Sequence, residues 1–434
     1  MRSDIIKILS DWNPWWEHGK VPENLCGVKR EKSDEIIHLE SMKEIKIITG
    51  VRRSGKSTLL YHVIDNLLKK GVAPKDILLI NFEDAGIAHY TLDEIHERYM
   101  SELNPTYSLH IFIDEVQKKE GWERWIRKKY DLRQAAGFFV SGSSSALLKK
   151  EYSTLLTGRN LSLEIFPLDF NEYLQFSGMK IENLKTITLE TQSKISFNLK
   201  KYIEFGGFPE VFFNDESNKR RLLNQYFEDI IYKDVVDRYR TDPGKTKETG
   251  IYLMTNICNP LSIRNLRNIS GLGIQTISEY ISFMAEAYLI YQVSIYSSSL
   301  KVQSANPKKI YSIDTGLRNA VSFKFSEDIG RLAENVVFIE LKRRGKEVFY
   351  WKDETGGEVD FIIKKGLKPS EAIQVCWNLK NEGTINREIK PLCNALNKFK
   401  LDAGLIITDN LEKEETIDGK KIVFVPLWKW LLSK

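Results

Sequence analysis

The chain contains little of what marks a secreted protein or a protein built around a zinc or redox centre. It has four cysteines and six histidines in 434 residues. Cys26, Cys258, Cys376 and Cys393 show neither zinc nor redox-pair spacing, and the histidines are scattered. We therefore expect no disulfide framework and no histidine or cysteine metal cluster. Reduced thiols and a cytoplasmic location are the plain expectation.

Long apolar runs are also missing. No stretch approaches the roughly 18 apolar residues that a membrane-spanning helix needs, so no membrane partner is expected. The opening residues Met1–Lys7 lack the apolar core of a signal peptide.

An excess of charge of one sign is absent as well. The 64 Lys and Arg residues against 59 Asp and Glu residues give a net charge of +5. This permits contact with nucleic acid without arguing for it, because a dedicated binder usually has a more basic domain. The hydrophobic fraction of 42% is that of a globular protein, and the length predicts about three domains.

Short apolar strand patterns alternate with helical patterns over residues 41–170. This alternation predicts an α/β domain with a parallel sheet covered on both faces. The predicted strands are 45–48, 77–82, 111–113, 138–141 and 161–166. Residues 1–40 carry three tryptophans between Asp11 and Trp16, which we expect to anchor this N-terminal segment on the neighbouring domain rather than to bind a ligand.

A glycine-rich phosphate-binding loop follows the first predicted strand. Residues 50–57 read Gly-Val-Arg-Arg-Ser-Gly-Lys-Ser, the Gly-x-x-x-x-Gly-Lys-Ser/Thr pattern, and a predicted helix begins at Lys56. Gly50 and Gly55 allow the loop to curl with its amides inward, where they hold phosphate oxygens. Lys56 adds a charge for the β- and γ-phosphates, and Ser57 offers a hydroxyl to Mg²⁺. The sequence therefore predicts ATP, or a close nucleoside triphosphate, and Mg²⁺ as ligands.

A second motif supports this interpretation. His110-Ile-Phe-Ile-Asp-Glu115 is an apolar strand that ends in two acids. Asp114 is expected to hold Mg²⁺ at the carboxyl end of the strand. Glu115 is expected to act as base or to orient the attacking water, with a solvated turn acid as the alternative.

The motifs together resemble the archaeal and bacterial AAA-type predicted ATPases that carry an appended winged helix and a nuclease-like C-terminal domain. The resemblance rests on Gly-Val-Arg-Arg-Ser-Gly-Lys-Ser-Thr58, Ile-Asp-Glu-Val-Gln117, Val-Ser-Gly-Ser-Ser-Ser145, Gly-Gly-Phe-Pro-Glu210, Lys309-Ile-Tyr-Ser-Ile-Asp-Thr-Gly316, Glu358-Val-Asp-Phe361 and Ile373-Gln-Val-Cys376. It implies the following α/β architecture: a P-loop parallel-sheet ATPase domain, a helical lid, a winged-helix domain and a restriction-endonuclease-like C-terminal domain.

The resemblance also implies roles for further residues. Ser141 or Ser143 matches the polar residue that senses the γ-phosphate, the alternative being a helix-capping hydroxyl. Arg159 matches an arginine finger that acts on a neighbouring subunit's nucleotide, the alternative being a structural ion pair. Pro209, in Gly207-Phe-Pro209, resembles an element placed against adenine.

For several further residues of the phosphate loop, the sequence predicts nucleotide binding but no specific role. Arg52 and Arg53 either touch phosphate or face solvent. The remaining nucleotide-binding candidates of the loop are Val51, Ser54 and Thr58.

The segment after the ATPase domain predicts a helical lid or linker over 171–250 and a winged helix over 251–325. Residues 260–270 read as the first helix of a helix-turn-helix, Gln275 to Glu286 reads as the second, and 288–291 and 309–312 suit the wing strands. That second helix carries two glutamates and no basic residue. It is poorly equipped for DNA, whose phosphates normally dominate affinity. DNA contact and protein packing both stay open.

The last segment, 326–434, resembles the PD-(D/E)XK nuclease core. In that family a helix acid, an aspartate and a Glu-x-Lys strand collect Mg²⁺ and a water. The matching positions are Glu334, Asp360 and Gln374, but Gln374 stands where the second acid is expected and Cys376 where the lysine is. Lys352, Lys364 and Lys380 are the candidates to replace that lysine. We expect either degraded chemistry on a retained fold or an active nuclease.

The sequence as a whole predicts a Mg²⁺-dependent ATPase whose nucleotide state controls the appended domains. An ATP-gated DNA nuclease and a non-hydrolysing nucleotide switch or scaffold are the alternatives. A finger at Arg159 would require a homo-oligomer.

Overall fold

The computed structural model describes residues 5–103, 105–106, 109–148, 156, 158–322, 329–377 and 382–433. The chain divides into two units, Met1–Ile165 and Phe166–Lys434. Each unit is described by itself below.

The strand patterns of the first unit fold into a parallel sheet. Its described strands are β1 (Ile45–Thr49), β2 (Ile77–Asn81), β3 (His110–Asp114), β4 (Gly137–Gly142) and β5 (Asn160–Glu164). Their order is β2-β3-β4-β1-β5, and every neighbouring pair is parallel. The predicted parallel-sheet α/β core is confirmed. The order places β4 between the strand that enters the phosphate loop and the strand that ends in the two acids, so the carboxyl ends of all three meet at one edge.

Helices cover both faces of this sheet, as the apolar strands require. One face packs around Leu78, Ile80, Ile111, Ile113 and Val140. The other packs around Ile48, Leu79, Phe112 and Phe139. The described helices are Ile5–Trp12, Trp15–His18, Glu23–Cys26, Glu31–Leu39, Lys56–Lys69, Leu92–Leu103 and Trp122–Asp131.

The N-terminal tryptophans take part in this packing. Trp15 is fully buried, and its ring N–H donates to the carbonyl oxygen of Ile77 at 3.1 Å. Trp16 donates to the same oxygen at 2.9 Å and stacks on Tyr99. Trp12 donates to Asp84 at 2.9 Å. Three rings therefore hold the segment against the sheet edge and its neighbouring helix.

The second unit begins with helices. Those up to residue 255 are Phe170–Phe176, Leu189–Phe205, Pro209–Phe212, Glu216–Asp229, the π-helical Ile230–Val236, Asp237–Tyr239 and Pro243–Thr255. Two further helices, Ile263–Ser270 and Ile274–Glu286, are joined by a turn that Gly271 opens with a positive φ of 69°. Strands β6 (Ile290–Val293) and β7 (Lys309–Ser312) then pair antiparallel. Leu300–Ala305 and Thr315–Val321 are short helices after β6 and β7.

A second sheet occupies the C-terminal part of this unit. Its described strands are β8 (Glu347–Lys352), β9 (Glu358–Lys365), β10 (Lys368–Cys376), β11 (Ala403–Thr408), β12 (Lys413–Ile417) and β13 (Lys420–Pro426). The order is β12-β13-β11-β10-β9-β8. Strands β10, β11 and β13 run parallel, whereas β8, β9 and β10 pair antiparallel. The helices here are Ile329–Arg343, Glu382–Phe399 and Leu427–Leu432.

The sequence patterns found four of these six strands. The predicted positions Trp351, 359–363, 372–375 and 405–408 fall in β8, β9, β10 and β11. The hairpin of β12 and β13 was not predicted. Within the described residues, no helix is both long enough and apolar enough to cross a membrane.

Candidate nucleotide site

The phosphate loop runs from the end of β1 to the helix Lys56–Lys69. Gly50 has φ 148°, and a Cβ there would lie 2.1 Å from the carbonyl oxygen of Ile165. Gly55 has φ 95° at the start of the helix. Side chains rarely adopt either conformation, so the loop requires glycine at both positions.

Lys56 points back into its own loop. Its Nζ lies 3.1 Å from the carbonyl oxygens of both Gly50 and Val51, and the residue is only 4% exposed. Ser54 Oγ is buried and has no hydrogen-bond partner among the described residues. A cation bound only by neutral carbonyl oxygens, next to an unsatisfied hydroxyl, is an arrangement that an anion would complete.

Asp114 lies at the centre of the polar edge of the sheet. Its Oδ2 accepts a hydrogen bond from Ser57 Oγ at 2.6 Å, and its Oδ1 accepts one from Ser141 Oγ. Burial, followed by the charge of Glu115, raises the pKa of Asp114 above its ordinary value. The two hydroxyl donors and Lys56 act in the opposite direction. The phosphate loop and the acidic strand therefore meet directly, side chain to side chain.

Glu115 has a positive φ of 52°, which turns the chain sharply after β3. Its amide donates to Asp114 Oδ1 at 3.1 Å. Its carboxylate accepts from Gln117 Nε2 and, at 3.3 Å, from Ser143 Oγ. Gln117 Nε2 also lies 3.0 Å from Ser143 Oγ. These contacts bury Glu115 and fix its direction, so it is not a solvated turn acid.

The two candidate sensor serines therefore have different partners. Ser141, the penultimate residue of β4, binds Asp114, whereas Ser143, just after β4, binds Glu115 and Gln117. Gly142 between them permits the close approach, because a Cβ there would lie 2.3 Å from Gln117 Oε1.

The arginines of the loop take different positions. Arg52 is buried and pairs with Glu83 at 2.5 Å. Arg53 is exposed and adopts a positive φ of 67°. Thr58 is half-buried at the start of the helix, and Val51 is fully buried.

Arg159 lies just before β5. Its Nε is 2.9 Å from Asp131 Oδ1, and its side chain is 32% exposed. The contact is the ion pair that the sequence left open as the alternative to a finger. A partly exposed ion pair of this kind contributes little to stability, and its partners separate at little cost. The contact therefore does not decide between a structural role and a finger role for Arg159.

Pro209 belongs to the second unit and begins the short helix Pro209–Phe212. The preceding loop is fixed within that unit: the Gly207 amide donates to buried Asp314 Oδ2 at 2.7 Å. Burial raises the pKa of Asp314 to about 6. The adenine contact of Pro209 stays a prediction.

Sequence reasoning missed two residues that contact the site. Arg30 donates to the carbonyl oxygen of Ser54 at 2.9 Å, and nothing in its sequence context pointed to this contact. Gln117 stood inside the Ile-Asp-Glu-Val-Gln motif but was given no role. Its position two residues after Glu115 was the available signal.

The nuclease-like positions of the second unit also come together. The Asp360 amide donates to Gln374 Oε1 at 3.1 Å, and Asp360 Oδ1 and Glu334 Oε1 both contact Lys309 Nζ. Burial and then the charge of Glu334 raise the pKa of Asp360 to about 8. Cys376 is buried near the end of β10.

Of the lysines that could replace the missing one, Lys352 and Lys364 pair with acids other than Asp360. Lys352 pairs with Glu358 Oε2 at 3.2 Å, and Lys364 pairs with Glu347 at 3.1 Å. Lys380 falls outside the described residues. The lysine that reaches Asp360 is Lys309, which sequence reasoning had assigned to a wing strand.

Comparison with known protein families agrees with the first unit's fold. Residues 42–174 match a family described as AAA domain. Residues 196–328 and 329–430 match two domains of unknown function, DUF8612 and DUF4143. The protein is thus defined as one with an AAA-type P-loop ATPase domain followed by a DUF4143 domain, and this class supports ATP binding.

Relatives extend the likeness over most of the chain. "Uncharacterized protein MJ1544" of Methanocaldococcus jannaschii is 37% identical over 409 residues, which cover 90% of this chain and 88% of that protein. The chain belongs to the same protein family as MJ1544. An uncharacterized protein of Haemophilus influenzae is 29% identical over 405 residues, covering 91% of this chain and 96% of its own.

Among solved structures, the Walker-type ATPase PABY2304 of Pyrococcus abyssi is 13% identical. It covers 68% of this chain and 95% of its own, with a TM-score of 0.44. CDC6p from Pyrobaculum aerophilum covers 73% and 98% at 11% identity, with a TM-score of 0.29.

Proposed function

We propose that the first unit binds ATP together with Mg²⁺ and hydrolyses it, and that the nucleotide state controls the second unit. The observation that supports this most is the 2.6 Å hydrogen bond between Ser57 Oγ and Asp114 Oδ2. It joins the phosphate loop to the acidic strand at one edge of the sheet, with Glu115 immediately beside it. Phosphate binding and water activation would thus take place within one continuous polar group.

The residues at this edge fit Mg²⁺. Ser57 and Asp114 provide a hydroxyl and a carboxylate oxygen, the hard donors that Mg²⁺ prefers alongside water and phosphate. Among the described residues, no group of three or more His, Cys, Asp and Glu side chains is arranged to hold a metal. Such a cage is not required, because Mg²⁺ at nucleotide sites usually has one or two protein ligands. When bound, the ion would neutralise charge on the phosphate oxygens.

Phosphate binding and activation of the attacking water would be carried out by groups of the protein itself. The loop amides and the positive end of the helix Lys56–Lys69 would hold phosphate oxygens. Lys56 would exchange the carbonyl oxygens of Gly50 and Val51 for phosphate. Glu115 would accept a proton from, or orient, the attacking water. Gln117 and Ser143 hold the Glu115 carboxylate in a fixed direction. This orientation would lower the entropy that the carboxylate loses when it reaches the reactive geometry.

Three further roles follow from the family resemblance. Either Ser141, through its bond to Asp114, or Ser143, through its bond to Glu115, would sense the γ-phosphate. Arg159 would release Asp131 and reach the nucleotide of a neighbouring copy, which requires a homo-oligomer. Pro209 would contact adenine. Mixing Arg159→Ala with Glu115→Gln protein tests the finger, because mixed oligomers should regain turnover that neither variant has alone.

The direct test is release of phosphate from ATP by the full chain. We expect release that requires Mg²⁺, is stopped by EDTA, and is lost in Lys56→Ala. Tight ATP binding by the wild type without turnover, with or without DNA, would instead favour a non-hydrolysing switch. Equal phosphate release by the wild type and Lys56→Ala would assign the activity to a contaminant and sink the proposal.

For the second unit we propose a winged helix. The helices Ile263–Ser270 and Ile274–Glu286 and the β6–β7 pair support this fold. The second helix exposes Gln275 and Glu279 and has no basic residue. DNA contact by these two helices would therefore depend on the exposed Arg264 and Arg267 of the first helix. Duplex-DNA anisotropy with Arg264→Glu/Arg267→Glu tests this: unchanged affinity would mean that this helix does not contact DNA.

For the C-terminal sheet we propose the PD-(D/E)XK fold. Its β8–β9–β10 antiparallel run followed by parallel β11, together with the helix Ile329–Arg343, supports the likeness. The convergence of Glu334, Asp360 and Gln374 agrees with it. Whether the metal chemistry of that fold is retained depends on Lys309.

A further inference from the structure

Lys309 is buried among three acids of the second unit. Its Nζ lies 2.6 Å from Glu358 Oε1, 3.0 Å from Glu334 Oε1 and 3.3 Å from Asp360 Oδ1. The side chain is 1% exposed. A lysine at this depth is rare unless it is paired, and here each of its three donors faces a different carboxylate.

The three acids come from two different elements, and the lysine from a third. Glu334 lies on the helix Ile329–Arg343, Glu358 and Asp360 on β9, and Lys309 on β7. Tyr311, two residues along β7, donates to the same Glu334 oxygen at 2.7 Å. The cluster therefore ties the β6–β7 pair to the C-terminal sheet and its helix through one ammonium group.

Three acids surround this ammonium, and two lysines, Lys309 and Lys352, carry the positive charge of the cluster. Burial alone would lower the pKa of Lys309, but Glu334, Asp360 and Glu358 outweigh it and raise that pKa well above its ordinary value. Lys352 adds a second positive charge at the outer oxygen of Glu358, at 3.2 Å. The cluster has its own cations without any added ion.

The two departures from the nuclease pattern fit the same arrangement. Gln374, in place of the second acid, adds no negative charge and donates to Glu388 Oε2 at 2.6 Å while accepting from the Asp360 amide. Cys376, in place of the lysine, adds no positive charge. A cluster that already contains Lys309 needs neither the extra acid nor the extra lysine.

Mg²⁺ does not fit this cluster as it stands. Its ligand oxygens would have to lie about 2.0–2.1 Å from the ion. The space between Glu334, Glu358 and Asp360 is filled by the Lys309 ammonium, and the carboxylate oxygens that face it are already hydrogen-bonded. The residues present therefore do not fit the divalent metal that the PD-(D/E)XK fold implies.

We propose that Lys309 is a tethered cation that fills the former metal position of the nuclease-like domain, so that its acids hold the β6–β7 pair in place instead of a divalent ion. Removing the ammonium would leave three buried acids without their cation, and a divalent cation would then take its place. This inference rests on the proposed PD-(D/E)XK fold of the C-terminal sheet and does not depend on ATP hydrolysis by the first unit.

Binding of Mn²⁺ to the full chain, followed by electron paramagnetic resonance, tests the proposal. Every protein carries Asp114→Asn, which removes the candidate metal ligand of the nucleotide site. We expect no Mn²⁺ site in this background, one equivalent gained on adding Lys309→Met, and its loss on further adding Asp360→Asn. Lys309→Arg, which keeps the charge, should gain none.

Two results would overturn the proposal. The first is an Mn²⁺ site in the background protein that disappears with Asp360→Asn, since Lys309 would then coexist with a metal. The second is a Lys309→Met protein that gains no site. If Lys309→Met unfolds, its thermal transition is followed with and without Mn²⁺. Recovery of the transition with Mn²⁺, but not in the added presence of Asp360→Asn, supports the proposal, and no recovery contradicts it.

Discussion

The two units each bring a buried lysine next to carboxylates, yet the lysines are bound in opposite ways. Lys56 contacts two neutral carbonyl oxygens of its own loop, and the nearby Asp114 is satisfied by serine hydroxyls. Lys309 contacts three carboxylates, and its ammonium lies between them. The first lysine can exchange its partners for a phosphate at little loss. The second cannot leave without stranding three acids.

The difference shows that residue types alone do not decide whether a cluster is reactive. Both clusters contain lysine, aspartate and glutamate. What separates them is whether the lysine is already paired with acids. In the first unit the lysine's charge is still available for a ligand, and in the second it is used by the fold.

The largest expected effect is on turnover in the first unit. Glu115→Gln keeps the size of the side chain but removes the base, so kcat should fall about 10²- to 10⁴-fold. ATP affinity should change little, because Glu115 contacts Asp114, Gln117 and Ser143 rather than the phosphate loop. Phosphate release and ATP titration of the same preparation measure both. Unchanged kcat would mean that Glu115 is not the base.

The next effect compares the two lysines in the absence of nucleotide. Lys309→Met should lower the free energy of unfolding by about 3–5 kcal/mol, because it leaves buried acids unpaired. Lys56→Met should lower it by only about 1 kcal/mol, because it removes hydrogen bonds to carbonyl oxygens. Urea unfolding measures both.

Lys352→Met is the matched control for Lys309→Met. Lys352 pairs with the same Glu358, but its side chain is 40% exposed, so the loss should stay below about 1 kcal/mol. Equal losses for Lys309→Met and Lys56→Met would erase the contrast between the two sites.

A smaller effect is expected at Gln117, which we describe as a positioning residue. Gln117→Ala should lower kcat about tenfold while leaving KM unchanged, because it frees the Glu115 carboxylate without touching the phosphate loop. Ser143→Ala should show the same split to a smaller extent. A rise in KM with constant kcat would instead place Gln117 in ATP binding.

The smallest effect is expected at the ion pair of Arg159. Asp131→Asn should change the free energy of unfolding by less than about 1 kcal/mol, because both side chains are partly exposed. Turnover should stay within about twofold of the wild type, since the proposed finger role needs Arg159 and not its partner. A turnover loss in Asp131→Asn as large as that in Arg159→Ala would show that the ion pair itself is what the site requires.

The sequence predicted those parts of the molecule that local patterns determine. The strands around the phosphate loop, the glycines at 50 and 55 and the pair Asp114–Glu115 all follow from short-range spacing. The hydrogen bond from Gln117 to Glu115 was missed because it depends on the sharp turn at Glu115, which no sequence pattern predicts.

The contacts of Lys309 could not be predicted from local sequence patterns. Lys309 and Asp360 are 51 positions apart, and only the packing of β7 on the C-terminal sheet brings them together. The alternating strand pattern around Lys309 is that of an ordinary wing. The absence of a lysine at position 376 is visible in the sequence, but Lys352 and Lys364 lie on β8 and β9, whereas Lys309 lies on β7.

Equilibrium binding of ATP in the presence of Mg²⁺, compared between the wild type and Lys56→Met, tests the central claim most directly. We predict that the wild type binds and that Lys56→Met loses at least about a hundredfold in affinity, the loss expected when a buried charge-assisted contact to phosphate is removed. Its unfolding transition without nucleotide should remain close to that of the wild type. Wild-type affinity in Lys56→Met would contradict the assignment of this loop as the nucleotide site.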